Sequence, residues 1–496
     1  MSPHGKTVLR DLGVVLHVPG LMALVSLPLA WLFGEGYAAG PLLITAAAAL
    51  LPGQVLYWSC RRAPAMRLRH AMVTVVVSWI AVPLIGTLPF LLIAGAQPAA
   101  SETVLVFRDF WNALFEAMSG FTSTGLTMTP RPSALPHCLQ WWRSFMQWVG
   151  GVGVVVLMLS VFHPSGDAYR LYFSEAREQT IVPDIAATVR TIWWIYLLYT
   201  ALGILLLWAT GMTGWQAVNY AMTGIATGGF GVTDNSLADF GTGPRLAMVL
   251  IMLAGAVSFA THYRLLTRDR LALLWKDAEN HALVLLLVLG AGLLALENLW
   301  YDSGAGWLDS LFQWTSALAT AGFSTVRLET WSPTALVLLS LAMACGGAAG
   351  ATTGGLKLRR VVRLASGAFA RVRGVALHPW RLMDHKPMAD AAVEAHTART
   401  FEAAIVMAAL WAATVFAGTL LLLHAAGPGA PLDHVVLEVT SALGNVGLTT
   451  GITGPGLHWS GKLGLIVVMW MGRLEIVPIL VLVAALVMAS RHRAAK

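Results

Sequence analysis

The chain has 496 residues, of which 57% are hydrophobic and 11% charged, with a formal net charge of +7. A soluble domain carries roughly 25% charged residues, so these figures exclude an ordinary soluble enzyme. The mean hydropathy of +0.69 agrees, because one soluble core cannot bury so much apolar surface. Apolar runs of about 20 residues, the length a helix needs to cross the hydrocarbon layer, recur along the whole sequence. Cys60, Cys138 and Cys345 have no paired spacing and offer neither a disulfide framework nor a metal motif.

In chain order, ten spans are expected, near residues 12–33, 39–58, 71–94, 142–162, 192–210, 246–265, 282–300, 335–356, 403–424 and 463–487. The first follows Lys6 and Arg10, is longer than a signal-peptide core and lacks a small-residue cleavage site, so it reads as a retained helix. An even count puts both termini on one side. With loops assigned alternately, 25 of the 32 basic residues fall on that side. The other side receives six: Arg108, Arg131, Arg143, Arg245, Arg327 and Lys462, while Arg473 lies inside the last span. This asymmetry makes both termini cytoplasmic, and the +7 charge is an orientation signal, not a nucleic-acid footprint.

After the first two spans, the remaining eight pair up, and each pair is joined by a similar segment. The four segments are Ser119-Gly-Phe-Thr-Ser-Thr-Gly125-Leu126, Thr223-Gly-Ile-Ala-Thr-Gly-Gly229-Phe230, Ser316-Ala-Leu-Ala-Thr-Ala-Gly322-Phe323 and Ser441-Ala-Leu-Gly-Asn-Val-Gly447-Leu448. Their last glycines lie 104, 93 and 125 residues apart. Each follows a semi-apolar stretch of about ten residues, such as that from Trp111 to Met118 or from Trp307 to Thr315, which is too short to span and points to a re-entrant helix. A single copy would be explained by close helix packing, since small residues are common in membrane helices. Four copies at matching positions indicate a fourfold repeat of helix, short helix, glycine loop and helix.

Non-helical backbone at membrane depth is tolerated only when buried in protein or lining a watery cavity. Four such loops converging on an axis can present rings of carbonyl oxygens that replace the hydration shell of a monovalent cation. The short helices would aim their partially negative C-termini at the same axis, which favours cations.

These four segments, together with Gly346-Gly-Ala-Ala-Gly350-Ala-Thr-Thr-Gly354-Gly355-Leu-Lys357, Met471-Gly-Arg473-Leu-Glu475 and the stretch around Gly86-Thr-Leu-Pro89-Phe90, resemble the Trk/Ktr/HKT superfamily of potassium transporters. The resemblance covers essentially the whole chain and is nearest to the bacterial Trk-type pore subunit, which carries two extra N-terminal helices. It implies an all-α polytopic protein of ten transmembrane helices plus four re-entrant pore helices. The expected divisions are 1–69 for the first two helices, then repeats at 70–170, 171–275, 276–400 and 401–496. It also implies K⁺ as the transported ion with no organic cofactor, a bacterial inner-membrane location, a homodimer in the lipid bilayer, and a cytoplasmic nucleotide-binding regulatory subunit of the RCK type. No nucleic-acid partner is implied.

Carried over residue by residue, the resemblance makes the selectivity filter Thr122, Ser123, Thr124 and Gly125; Ala226, Thr227, Gly228 and Gly229; Ala319, Thr320, Ala321 and Gly322; and Gly444, Asn445, Val446 and Gly447. Family members with serine in place of the first glycine tend to admit Na⁺, so Gly125 argues for K⁺. The fourth loop departs from the pattern in having no threonine. The run from Gly346 to Gly355 holds five glycines in ten residues, so a broken helix is expected there, at roughly 1 kcal/mol per glycine relative to alanine. The resemblance makes Gly346, Gly347, Gly350, Thr352, Thr353, Gly354 and Gly355 a movable gate below the filter. Lys357, Arg359, Arg360 and Arg363 follow it, either marking the cytoplasmic boundary or transmitting force from a regulatory subunit.

Arg473 sits inside a span, where a charge is costly and faces a cavity or a partner. It is expected to project under the filter as an electrostatic barrier; the alternative is a structural ion pair with a carboxylate of another repeat. Glu116 and Glu438 each lie nine residues before a filter glycine and are expected to support the short helices. Asp109, Asp234, Asp302 and Asp309 sit on the outer side, where they either concentrate cations or serve solubility. His378, His385 and His396 match no metal spacing. A membrane-embedded enzyme would need convergent acids, histidines or a metal set, whereas Gly, Ser and Thr recur here. An H⁺- or Na⁺-coupled symporter would need a carboxylate deep in a span, for which Glu475 is the only candidate, and a less selective K⁺/Na⁺ channel is the remaining alternative.

Overall fold

The computed structural model describes residues 3–64, 68–97, 100–153, 185–268, 277–377 and 391–482, and among these the regular structure is helical throughout. The N-terminal region forms α1 (Pro3–Val15), α2 (His17–Leu32) and α3 (Ala39–Cys60). The first repeat holds α4 (Leu68–Gly86), α5 (Leu88–Ala96), α6 (Phe110–Phe121) and α7 (His137–Val152). The second holds α8 (Ile185–Ala209), α9 (Gly214–Ile225), α10 (Thr242–Ala256) and α11 (Phe259–Arg268). The third holds α12 (Ala278–Trp300), α13 (Trp307–Leu318), α14 (Pro333–Cys345) and α15 (Leu358–Leu377). The fourth holds α16 (Ala391–Ala426), α17 (Leu432–Leu443) and α18 (Trp459–Arg473).

Six helical stretches among the described residues are long and apolar enough to cross a membrane: Gly5–Leu32, Gly36–Cys60, His70–Ala96, Ala187–Ala209, Ala278–Trp300 and Thr400–Ala426. They correspond to the first three expected spans and to the first helix of repeats two to four. Their outward faces carry large exposed apolar residues, among them Leu51, Trp58, Trp194, Val288, Leu296 and Phe416. The interior is instead rich in polar groups, with Glu116, Asn219, Gln313 and Glu438 fully buried. These polar groups sit within a largely apolar core, and the broad apolar outer faces suit a bilayer as solvent.

The other four expected spans are not continuous helices. The expected span 142–162 begins as α7 but leaves the helix at Gly153, whose φ is +103°; residues 154–162 lie outside the described residues. The span 246–265 is α10 and α11, bent by 101° between them. The span 335–356 stops at Cys345, and the span 463–487 stops at Arg473, where Glu475 and Ile476 take φ of +56° and +63°. Residues 483–487 also lie outside the described residues, as do His378, His385 and the side chain of His396. A break was expected only at the glycine run of repeat three; it occurs in the second helix of every repeat. In repeats one, two and four, another backbone approaches closely just before the end of the helix. A Cβ on Gly150 would collide with the Phe121 carbonyl, one on Gly255 would lie 3.0 Å from the Ile225 carbonyl, and one on Gly472 would collide with the Leu443 carbonyl. Each of those carbonyls ends a short helix, so the second helices break where they pack beneath α6, α9 and α17.

The N-terminal helices brace this assembly. Glu35, between α2 and α3, accepts from the backbone N–H of His137 (2.6 Å) and Cys138 (2.9 Å), occupying donors left open at the start of α7. Phe33 stacks on the His137 ring at 4.0 Å.

Candidate functional site: a ring of four glycine loops

The short helices α6, α9, α13 and α17 are each 12 residues long, about 18 Å at the helical rise, and each ends one residue before an expected filter segment. All four end in the same way. The N–H groups of Thr124, Gly228, Ala321 and Val446 reach back to the carbonyls of Ser119, Thr223, Ser316 and Ser441 at 2.8 to 2.9 Å. Those of Ser123, Thr227, Thr320 and Asn445 reach Gly120, Gly224, Ala317 and Ala442 at 3.0 to 3.2 Å. This is a Schellman closure, which needs a left-handed residue at its hinge. Ser123, Thr227, Thr320 and Asn445 supply it, with φ of 55°, 50°, 48° and 51°.

The fourth loop's lack of threonine therefore falls at the hinge, and asparagine is among the residues that tolerate the left-handed region. Two residues on, Gly125, Gly229, Gly322 and Gly447 also have positive φ. The left-handed hinge, filled by a hydroxyl residue in three of the four loops, is costly and is held by its surroundings, whereas the glycines take positive φ at no such cost.

Those surroundings are the neighbouring loops. A Cβ on Gly125 would strike the Gly228 carbonyl oxygen, one on Gly229 that of Ala321, one on Gly322 that of Val446, and one on Gly447 that of Thr124, none farther than 2.7 Å. The order runs from repeat one to two, three, four and back to one. The four loops form a closed ring, and glycine is required at its contacts because no side chain fits between adjacent backbones.

Buried polar struts hold the ring to its helices. Glu116 is completely buried and accepts from the Thr127 hydroxyl (2.8 Å), the Met128 N–H (2.7 Å), the Thr129 hydroxyl (3.0 Å) and the Arg143 guanidinium (2.6 Å). Glu438 accepts from the Thr449 hydroxyl (2.5 Å), the Thr450 N–H (2.9 Å) and the Thr453 hydroxyl (2.6 Å). Both tie a short helix to the chain just past its ring glycine, and the support expected of them is what the geometry shows. The matching positions in the middle repeats are Tyr220, whose hydroxyl bonds Thr233 and the Ser236 carbonyl, and Gln313, which bonds Ser324 and the Thr325 N–H. Sequence reasoning missed these two because the residue type changes, although their spacing from the filter glycines is the same.

Arg143 does not belong to an outer loop surface. Its side chain is 2% exposed, paired with Glu116, bonded to the Gly231 carbonyl at 2.9 Å and stacked over Phe230 at 4.1 Å, so it joins repeats one and two. Gln147 of α7 makes a second clamp, donating to the Gly228 carbonyl at 2.5 Å and accepting from the Phe230 N–H at 3.0 Å. Asn445 bridges repeats four and one by donating to the Thr124 hydroxyl at 2.9 Å.

On one face of the ring, Gly125, Gly229, Gly322 and Gly447 together border a basin of about 660 Å³. Asp234 lines it, with its carboxylate accepting from the Ser133 N–H (3.0 Å) and hydroxyl (2.8 Å). Asp109 caps α6 through the Trp111 N–H, and Asp309 pairs with Arg245 at 3.1 Å, so both have structural partners. On the other face lies a cavity of about 40 Å³, bordered by Asn445, by Gly350, Ala351, Thr353, Gly354 and Gly355, and by Lys357, Gly472, Arg473 and Glu475.

The glycine run between α14 and α15 therefore lies against the ring. The Thr352 hydroxyl donates to the carbonyls of Ile225 and Gly255, each at 3.0 Å, and the Gly354 N–H donates to the Thr320 hydroxyl at 2.8 Å. A Cβ on Gly354 would collide with the Gly444 carbonyl, and one on Gly347 would crowd Thr353 and the Ala256 carbonyl. Gly346 opens the loop with φ of +67°. Arg473 donates to the carbonyls of Gly150 (2.5 Å) and Gly151 (3.1 Å) at the break of α7, with its guanidinium 5.2 Å from the Trp79 ring centre. Glu475 pairs with Arg360 at 2.5 Å. No cluster of His, Cys, Asp or Glu suited to a resident metal occurs among the described residues.

Comparison with known proteins agrees with this geometry. The profile of the TrkH family, described as cation transport protein, matches residues 41–491. The chain belongs to the TrkH family. It is 32% identical over 489 residues to an uncharacterized cation transporter of Methanocaldococcus jannaschii, covering 97% of this chain and 95% of that one. It is 30% identical over 505 residues to the Trk system potassium uptake protein TrkH of Vibrio parahaemolyticus, covering 96% and 98%. It is 31% identical over 380 residues to the TrkH of Salmonella typhimurium, covering 73% and 75%. The crystal structure of the potassium transporter TrkH from Vibrio parahaemolyticus superposes with a TM-score of 0.79 at 28% identity, over 96% of this chain and 98% of that one.

Proposed function

We propose that this TrkH-family protein takes up K⁺ through the centre of the four-loop ring, the loop carbonyls replacing the ion's water. The observation that carries the reading is the closed contact order of the four filter glycines, set between a wide basin and a small polar cavity. In this reading α6, α9, α13 and α17 are re-entrant pore helices, the partially negative ends of their dipoles directed at the ion. The repeats divide near the boundaries expected from sequence, and the chain spans the bacterial inner membrane with both termini cytoplasmic.

The loop from Gly346 to Gly355 obstructs the exit from the ring, and Arg473 adds a positive charge to the same small cavity. K⁺ is cargo, and neither an organic cofactor nor covalent chemistry is required. A homodimer controlled by a cytoplasmic nucleotide-binding subunit fits the Trk system for which the Vibrio parahaemolyticus and Salmonella typhimurium relatives are named. The commitment of Glu475 to Arg360 favours passive conduction over ion-coupled symport. The test is complementation: the chain should restore growth of a K⁺-uptake-deficient bacterium at limiting K⁺, and G322S should not. Growth without restored K⁺ content, or full rescue by G322S, would refute it.

A further inference from the structure

The gate loop and the basic helix α15 that follows it meet on a single carboxylate. Glu279, in the first turn of α12, is 7% exposed. One of its oxygens accepts from the Ala349 N–H, in the middle of the loop, at 2.7 Å. The other accepts from Nε of Arg359, in the first turn of α15, also at 2.7 Å. Its own N–H is held by Asp277, the N-cap of α12, at 3.0 Å, so the carboxylate is fixed to a helix of the third repeat. The same stretch of loop is laid along the bend between α10 and α11: the Ala348 N–H donates to Ala256 at 2.9 Å, the Phe259 N–H to Gly350 at 3.2 Å, and the Thr352 N–H to Gly255 at 3.2 Å. Ala349 is thus the residue of this stretch tied to Glu279 instead of to the second repeat, and α15 also meets the loop directly through the Leu358 N–H, which donates to the Gly347 carbonyl at 2.9 Å.

We propose that Glu279 is a joint through which α15 helps to hold the gate loop shut. It is a positioning residue: it does not meet the ion but bonds the loop backbone and the helix together, so that a displacement of α15 that pulls Arg359 away frees the carboxylate to turn and weakens its hold on Ala349. The proposal rests on the reading of this loop as the gate. Charge-assisted hydrogen bonds are about twice as strong as neutral ones, so both halves of the joint contribute to the closed state.

The experiment is Rb⁺ efflux from liposomes containing the full chain and no other protein. E279Q keeps an oxygen for Ala349 but loses the ion pair, and its basal flux should rise roughly tenfold, the equilibrium equivalent of one charged hydrogen bond. R359Q removes the other half of the ion pair and should rise similarly, and the double variant should leak no more than the leakier single. The swap E279R/R359E restores opposite charges but leaves no acceptor for Ala349 at position 279, because arginine has none; it should remain leaky. Wild-type flux in both E279Q and R359Q, or a tight swap, would overturn the joint, and R359Q decides if E279Q does not fold. A wild-type chain that passes no Rb⁺ under any condition would overturn the pore reading and the joint with it, whereas a conducting wild type with unmoved variants overturns the joint alone.

Discussion

Removing the Glu116 carboxylate is the perturbation whose consequence follows most directly from the geometry. Glu116 is fully buried, and its partner Arg143 has a side chain only 2% exposed. E116A strips the guanidinium of its counter-charge and leaves the Thr127 and Thr129 hydroxyls and the Met128 N–H without their common acceptor. Breaking a buried pair by deleting one partner costs about 3–5 kcal/mol, because an uncompensated charge stays buried. R143M in the same background removes that charge, and replacing both members of a buried pair by apolar groups is often close to neutral.

E116A should therefore lower the fraction of detergent-solubilised protein surviving heating far more than an exposed substitution, typically within about 0.5 kcal/mol, would do. E116A/R143M should recover a large part of the loss, and E116Q should fall between E116A and wild type. K⁺ preference of whatever protein remains folded should be unchanged, since a strut is not a ligand. Equal thermal survival of E116A and wild type, or no recovery on adding R143M, would refute the reasoning.

Other consequences are as direct. G322A and G447A place a Cβ against the carbonyls of Val446 and Thr124 at positions of positive φ, so each should abolish K⁺ uptake in the complementation assay, whereas G95A, where a Cβ meets nothing within 4 Å, should not. T352V removes a hydroxyl that donates to Ile225 and Gly255 with little change of shape; its loss of about 1–3 kcal/mol of loop anchoring should raise basal Rb⁺ flux in liposomes. R473A should raise flux several-fold if the charge is a barrier, and an unchanged flux in a folded protein would assign Arg473 to bracing the break of α7.

Much of the ring was legible because its determinants are local. A hydroxyl or asparagine two residues before a glycine, after a stretch too short to span, marks the Schellman turn locally, although the neighbouring loops hold it in place. Asn445 looked like a departure from the pattern only while its conformation was unknown; in the left-handed hinge it is a substitute for threonine. The breaks in α7, α10 and α18 were hidden because hydropathy runs through them unchanged. They lie beside the approach of the Phe121, Ile225 and Leu443 carbonyls to glycines about 30 residues away in the chain, which no local pattern encodes. Arg143 was misread for a related reason: counting charges by loop assigns a side without seeing the buried carboxylate that receives it. Tyr220 and Gln313 share the role of Glu116 and Glu438 through position alone. Glu279 meets Ala349 and Arg359 from 70 and 80 residues away, so only the folded chain brings them together.

Passage of a dehydrated K⁺ through the glycine ring is the central claim, and its most direct measurement is radiolabelled Rb⁺ uptake into liposomes holding the purified chain, driven by an outward K⁺ gradient. The account predicts uptake that K⁺ blocks, that equal Na⁺ blocks far less, and that an imposed pH gradient leaves unchanged. Uptake that follows the pH or Na⁺ gradient, or that Na⁺ blocks as well as K⁺, would contradict it.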